Sequence, residues 1–250
     1  MSGRAGRLGL ALTGGSCRCA FQAGVIAALD ERGFRFDVVS GVSSGAWNTA
    51  AVAAGSIARL REMWLGATAF PVYSLKNFAF NRTPFNYLHM HHHFTRHALD
   101  FAAIRTSPVM WMVSLTRLAG LGQVTFNNRD HPELDPFELT LATNTLPPIY
   151  PWPARVAGRL YLDGGFTNNA PYEPVLAEGC DLVVLIANNE DGSIFKSVRD
   201  RRHLIPEALR PRLRLIHPSR PMPVTCNDRD RGRIEDALDH GYAVGRTAVI

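Results

Sequence analysis

The sequence predicts an α/β fold: a three-layer sandwich whose mainly parallel central sheet is covered by helices on both faces. Short apolar, β-branched runs alternate along the chain with longer stretches of helix formers, and glycines mark several strand-to-helix joints. Parallel strands joined by crossover helices read in this way. Length is the third observation: 250 residues, 46% of them apolar, can bury one large core, and no repeat or low-complexity linker divides them. A single domain over residues 1–250 is expected.

The elements follow in order. Residues 8–13 form an apolar strand and 20–32 a helix; 36–40 form a second strand, and the alanine-rich stretch 45–56 a second helix. Strands are expected at 109–116 and 123–127, around a glycine-containing turn at 120–122, and again at 160–163. A helix at 171–179 and a strand at 181–187 complete the pattern, whereas residues 66–100 are the least legible. No run reaches the roughly 18 uncharged apolar residues of a membrane span; the richest, 101–121, is broken by Arg105, Pro108 and Arg117. The amino terminus, Met1 to Arg7, has no apolar stretch ahead of the first strand, so no signal peptide is expected and a cytoplasmic location is.

Three segments carry chemistry. In the first, Asp37-Val38-Val39-Ser40 runs into Gly41-Val42-Ser43-Ser44-Gly45 and opens directly into the second helix. This strand–turn–helix setting makes Gly-x-Ser-x-Gly a nucleophile elbow, with glycine where the turn is too tight for side chains and Ser43 held out at its apex. In the second, the first strand ends in Thr13-Gly14-Gly15-Ser16-Cys17-Arg18-Cys19 ahead of the first helix. Loop N–H groups beside a helix start suit a developing oxyanion; an ordinary tight turn is the alternative. Neither Gly-x-Gly-x-x-Gly nor Gly-Lys-Ser/Thr is present, so no nucleotide site is expected. The third, Leu160-Tyr161-Leu162-Asp163-Gly164-Gly165, places a carboxylate at a strand end, though Asp-Gly-Gly by itself is also a turn signature.

In this order the three segments resemble those of the patatin-like phospholipase family: an oxyanion loop of the form G-G-G-x-R-G, then G-x-S-x-G, then D-G-G or D-G-A. The flanks are similar too, in Ala20-Phe21-Gln22-Ala23-Gly24-Val25, Gly45-Ala46-Trp47-Asn48 and Ala142-Thr143-Asn144-Thr145-Leu146-Pro147-Pro148, and the likeness runs over about residues 7–245. The resemblance implies a Ser43–Asp163 dyad, with the N–H groups of Gly14, Gly15 and Ser16 as the oxyanion hole. It gives supporting roles to Arg18, Gly41, Gly45, Gly164 and Gly165, with Arg18 anchoring the loop or touching an anionic headgroup. It further implies hydrolysis of phospholipid, lysophospholipid or other acyl-ester lipids without metal or cofactor, and substrate-covering structure over the illegible segment. Two positions depart from the family pattern, Ser16 and Cys19 standing where it has glycine. They leave open a weak or inactive lipid-binding homologue, and His217 or His240 leaves open a Ser-His-Asp triad esterase.

The remaining features are less specific. Net charge is +5, and seven arginines lie between Arg199 and Arg220. Such a stripe suits anionic headgroups and peripheral membrane contact; a solvated face reads equally well, and no module or aromatic interleaving supports nucleic acid. Five of the nine histidines fall between His89 and His97. On a helix His89, His93 and His97 share a face, but no HExxH or adjacent carboxylate completes a metal site, so a partly solvated helix is expected. Cys17, Cys19, Cys180 and Cys226 show no paired spacing and are expected as free thiols.

Overall fold

The computed structural model describes residues 6–150 and 152–250, with the backbone alone for Phe80 and Asn81. The stretch Met1 to Ala5, part of the signal-peptide argument above, lies outside the described residues. Among the described residues, eight strands form one sheet: β1 (Leu8–Leu12), β2 (Val38–Gly41), β3 (Met110–Arg117), β4 (Gln123–Asn127), β5 (Ala154–Val156), β6 (Arg159–Asp163), β7 (Leu182–Ile186) and β8 (Leu213–Ile216). Their order is β5-β6-β3-β2-β1-β7-β8, with β4 also paired to β3. The run β3-β2-β1-β7-β8 is parallel throughout, and β4, β5 and β6 form antiparallel pairs.

Successive side chains of a strand point to opposite faces, and here each face meets its own core. Leu10, Leu12, Val39, Val113, Val184 and Ile186 pack on one side with α1 (Ala20–Glu31), α2 (Ser44–Ala53), α3 (Leu60–Ala67) and the long carboxy-terminal α9 (Arg231–Thr247). Ala11, Val38, Met112, Val183 and Leu185 pack on the other with Tyr172 and Val175 of α8 (Tyr172–Ala177). Helix–sheet–helix layering is the predicted architecture. α1 and α9 lie so close that a Cβ on Gly24 would stand 2.0 Å from Leu238 O, and one on Gly241 1.9 Å from Phe21 O. Small residues here buy van der Waals contact between backbones.

One feature of the register positions the site. Val113 pairs with Gly41 of β2 and with Phe126 of β4, while Leu115 pairs with Asp163 of β6 and with Val124 of β4. Since β4 occupies one edge of β3 at both points, β2 and β6 share the other. β2 runs parallel to β3 and β6 antiparallel, so they meet head to head, their last residues two β3 positions apart, or about 7 Å along the strand.

Between α3 and β3 the chain forms short helical pieces, α4 (Leu75–Asn81), α5 (Tyr87–Met90), a π-helical turn (His91–Thr95) and α6 (Arg96–Ala98). The histidine-rich segment is thus helical but not one continuous α-helix. α7 (Pro136–Ala142), capped by the Asp135 carboxylate on Phe137 N–H, leads towards β5. Among the described residues, no helix is long and apolar enough to cross a membrane.

Candidate active site

Ser43 stands between the end of β2 and the start of α2 with φ 52° and ψ −132°. A non-glycine residue in such a region carries about 1–3 kcal/mol of strain and persists only where its surroundings hold it. Those surroundings are specific. Ser43 N–H donates to Thr143 Oγ1 at 3.1 Å, the Thr143 hydroxyl donates to Ser114 O at 2.7 Å, and Asn144 Nδ2 donates to Ser43 O at 3.1 Å. The elbow is therefore pinned to the middle of β3 by the residues after α7. The two elbow glycines are sterically required: a Cβ at Gly41 would lie 2.7 Å from Thr49 Oγ1, and one at Gly45 2.6 Å from Thr13 O.

Asp163 closes β6 opposite Leu115, and its side chain is buried. Gly165 N–H donates to Asp163 Oδ1 at 2.7 Å. Burial pushes the carboxyl up to about 6, and the Gly165 N–H and the facing Ser43 hydroxyl offset part of that rise by stabilising the charged form. A Cβ on Gly164 would stand 2.1 Å from Ser114 O, so the strand end reaches β3 only because this position has no side chain.

The glycine loop after β1 departs from expectation at one position. Gly14 N–H is already donated to Asn169, to its side-chain Oδ1 at 3.1 Å and its backbone O at 3.3 Å. Gly14 is thus a packing residue, since a Cβ there would meet Asn169 Oδ1 at 2.4 Å and Ser43 Cβ at 2.8 Å. The N–H groups of Gly15 and Ser16 have no acceptor among the described residues, which leaves them as the available donors. Ser16 adopts φ 52°, where glycine is the easy choice, and its hydroxyl donates to Cys226 O. That bond ties the loop to residues 226–229 and offsets part of the strain. Cys19 is fully buried, with its thiol facing Thr13 O and the Asn188 amide, and burial raises its pKa well above the usual thiol range. It fills space beside the loop and does not enter the cavity lining. Arg18 donates to Asn188 O and lies 3.9 Å from Glu190, so it anchors the loop.

Ser43, Asp163, Gly14, Gly15 and Ser16 line one cavity of about 480 Å³. Its wall is mostly apolar, including Trp47, Met63, Trp64, Met90, Leu146 and Ile149. His217 and His240 do not line it: His217 Nδ1 contacts Pro218 O, and His240 packs on Phe21 with Nε2 accepting from Ser219. The histidine that does is the buried His91, stacked on Trp47 at 4.5 Å with Nδ1 3.1 Å from Thr95 Oγ1. Burial takes His91 down to about 3, so it is a neutral wall residue at ordinary pH. His89 and His93 contact each other, ring centroids 4.1 Å apart, on the exposed side of the same segment. All four cysteines are free.

Several residues of the site had no assigned role in the sequence reading: Thr143, Asn144, Asn169, Asn188, Tyr150 and Arg229. Asn188 is the one a general rule points to, because it follows the carboxyl end of β7, and α/β sites form at the carboxyl ends of strands.

A strained serine at a strand-to-helix turn, facing a buried carboxylate below an apolar cavity, puts the protein in the hydrolase class of α/β folds. The model of the patatin-like phospholipase family matches residues 10–176, and the chain belongs to that family. Membership supports a lipid ester hydrolase. The crystal structure of VipD from Legionella pneumophila is similar in fold, with TM-score 0.59 and 13% identity over 97% of this chain and 66% of that one. The type III effector protein ExoU gives TM-score 0.48 and 12% identity over 96% of this chain and 52% of that one. The chain thus spans about two thirds of the first and half of the second. No curated protein matches it in sequence.

Proposed function

We propose that this protein hydrolyses acyl esters of phospholipids or lysophospholipids through a Ser43–Asp163 dyad. The observation that carries the reading is the head-to-head meeting of β2 and β6 on β3, which sets Ser43 against a buried carboxylate at the base of an apolar cavity suited to an acyl chain. Asp163 accepts the Ser43 proton as Oγ attacks the ester carbonyl carbon. The N–H groups of Gly15 and Ser16 hold the resulting oxyanion, a contribution on the order of 3 kcal/mol per donor in comparable sites. Protonated Asp163 then returns its proton to the departing alcohol oxygen, leaving an acyl ester on Ser43. Water, deprotonated by Asp163, attacks that ester, and Asp163 returns the proton to Ser43 Oγ as the fatty acid leaves. A carboxylate is a weak base in water, and the burial that raises its pKa strengthens it for this task. The placement of His217 and His240 away from the cavity favours the dyad over a triad.

The test is reaction with a fluorophosphonate probe followed by mass mapping of the adduct. Labelling of Ser43 that disappears in both Ser43→Ala and Asp163→Asn supports the dyad. A folded protein that takes no label and releases no fatty acid is a lipid-binding homologue. Loss of labelling in His217→Ala or His240→Ala would restore the triad.

A further inference from the structure

Five charged residues line the cavity, and four are accounted for. Arg18 anchors the loop, and Asp163 is the proposed base. The Asp228 carboxylate accepts from Thr225 N–H, Asp230 N–H and Arg233 Nη1, the last at 3.2 Å. Arg201 is exposed, and its Nε donates to Val198 O. Arg229 is different. Its guanidinium is half-buried, lies over the Tyr87 ring at 5.0 Å, and touches Met90 Sδ through Nη2 at 3.8 Å. No carboxylate pairs with it among the described residues, and its Nε is buried without a hydrogen-bond partner. A second orphan is close by: the hydroxyl of Tyr150, a residue only 6% exposed, also has no partner. Tyr150 lines the same cavity as Asp163 and Arg229. An unpaired cation and an unpaired hydroxyl in a mostly apolar wall are costly, and both become favourable when an oxyanion arrives.

We infer that Arg229 and the Tyr150 hydroxyl form a subsite for the phosphate of a glycerophospholipid, orienting its ester towards Ser43. The inference rests on the phospholipid reading above and names the group that recognises the headgroup side. Guanidinium suits phosphate because its planar N–H groups match two phosphate oxygens at once. The ester carbonyl and the phosphorus of such a lipid are joined by a few bonds of the glycerol, so one molecule can present its ester to Ser43 and its phosphate to a cation lining the same cavity. The anchoring of Arg18 elsewhere leaves this role to Arg229.

Binding tests this without turnover, so its outcome is separable from that of the hydrolase reading. The probe is an ether-linked lysophospholipid, which cannot be hydrolysed, compared with the alkylglycerol of equal chain length. Binding is read from tryptophan fluorescence, since Trp47 and Trp64 line the cavity. Arg229→Gln should raise Kd for the ether lysophospholipid about tenfold or more, and leave the alkylglycerol within about twofold. Arg229→Lys, which keeps the charge without the fork, should fall between. Tyr150→Phe removes only an unpartnered oxygen, and should weaken the phosphate-bearing lipid alone by about threefold at an unchanged or higher Tm; it keeps the test open if Arg229→Gln folds poorly. Equal losses for both lipids, or none, would overturn the subsite. Inorganic phosphate binding as tightly as the ether lipid would assign the pair to free phosphate, and a larger effect on a free fatty acid would assign it to the released carboxylate. Either result overturns the headgroup assignment.

Discussion

The base and the upper wall of the cavity are built by different rules. At the base, Ser43, Asp163 and the glycine loop sit on strand ends, and their positions follow from β-register and from backbone atoms that approach within van der Waals distance of one another. The upper wall comes from α5, the π-helical turn and loop residues 226–229, where aromatic and thioether side chains of short helical pieces meet the loop. Near it, Tyr73, Leu75 and Phe78 are left exposed, Leu75 at 91%. A base fixed by backbone geometry tolerates almost no substitution. A wall of side chains can change shape without moving the chemistry. On the proposed function, reaction type belongs to the first region and substrate choice to the second.

The largest effects should come from breaking the base. Ser43→Ala and Asp163→Asn should each lower kcat/KM by about 10³-fold or more in a fatty-acid release assay, with unchanged far-ultraviolet circular dichroism. Gly164→Ala, which forces a methyl against Ser114 O, should cost activity and stability together. If it is as active and stable as the parent, the strand ends are less tightly fixed than the register implies.

Next in size is the pH dependence. On the proposed mechanism Asp163 acts as a base only when ionised, so kcat/KM should fall as pH drops through about 6 and flatten above 7. Stability has the opposite sign. The folded-state pKa is raised, so the carboxyl favours folding while protonated, and this contribution is lost as pH rises through about 6. The displacement is worth at most about 3 kcal/mol. Asp163→Asn should therefore melt several degrees higher than the parent at pH 7.5 and by about half as much at pH 5. Equal Tm differences at both pH values would remove the buried-base account.

The upper wall should respond in selectivity and not in rate. Leu146→Trp enlarges a partly exposed side chain at the cavity. It should raise KM for long-chain esters by about tenfold, a change worth about 1.4 kcal/mol, and spare a short soluble ester. Equal loss on both would mean that wall and base are coupled.

The loop positions that depart from the family pattern should give smaller changes. Ser16→Gly relieves a left-handed backbone but loses the bond to Cys226 O, so Tm and kcat should move little, within about 1 kcal/mol. A large rise in kcat would show that serine hampers the oxyanion donors. Smallest of all should be the arginine stripe. Arg212 donates to Cys180 O beside the start of β7, and β8 runs parallel to β7, so residues 210–212 lie at the end of the sheet away from Ser43. Arg202 and Arg220 are paired with Asp191 and Asp236. Changing Arg210, Arg212 and Arg214 to Gln should leave binding to anionic vesicles nearly unchanged; a marked loss would revive the stripe as a docking face.

Much of this base was legible because its constraints are local. Apolar runs announce strands, and β1, β2, β3, β4, β6 and β7 all fall where such runs stand; at the ends of β1, β2 and β6 a glycine needed for space marks the turn as well. β8 was not seen because Arg214 interrupts it, and β5 has only three residues. α9 carries no element in the sequence pattern above, yet its Gly241 and Gly245 are what let it close on α1. The side chains that hold the elbow and loop had no local signal, since Thr143 acts 100 residues from Ser43, and Asn169 acts 155 residues from Gly14. The same holds for Arg229, whose partners come from a segment 139 residues earlier.

The head-to-head arrangement on β3 also means that the proposed dyad is assembled by strand pairing and not by any short covalent connection. A chain cut in the exposed turn between β4 and α7 would leave Ser43 and β3 on one piece, and Asp163 with Thr143 on the other. Neither piece holds a nucleophile together with its base. Activity would return only when β6 docks on the free edge of β3, which makes the fold a natural two-part reporter whose ester hydrolysis counts reassembly events.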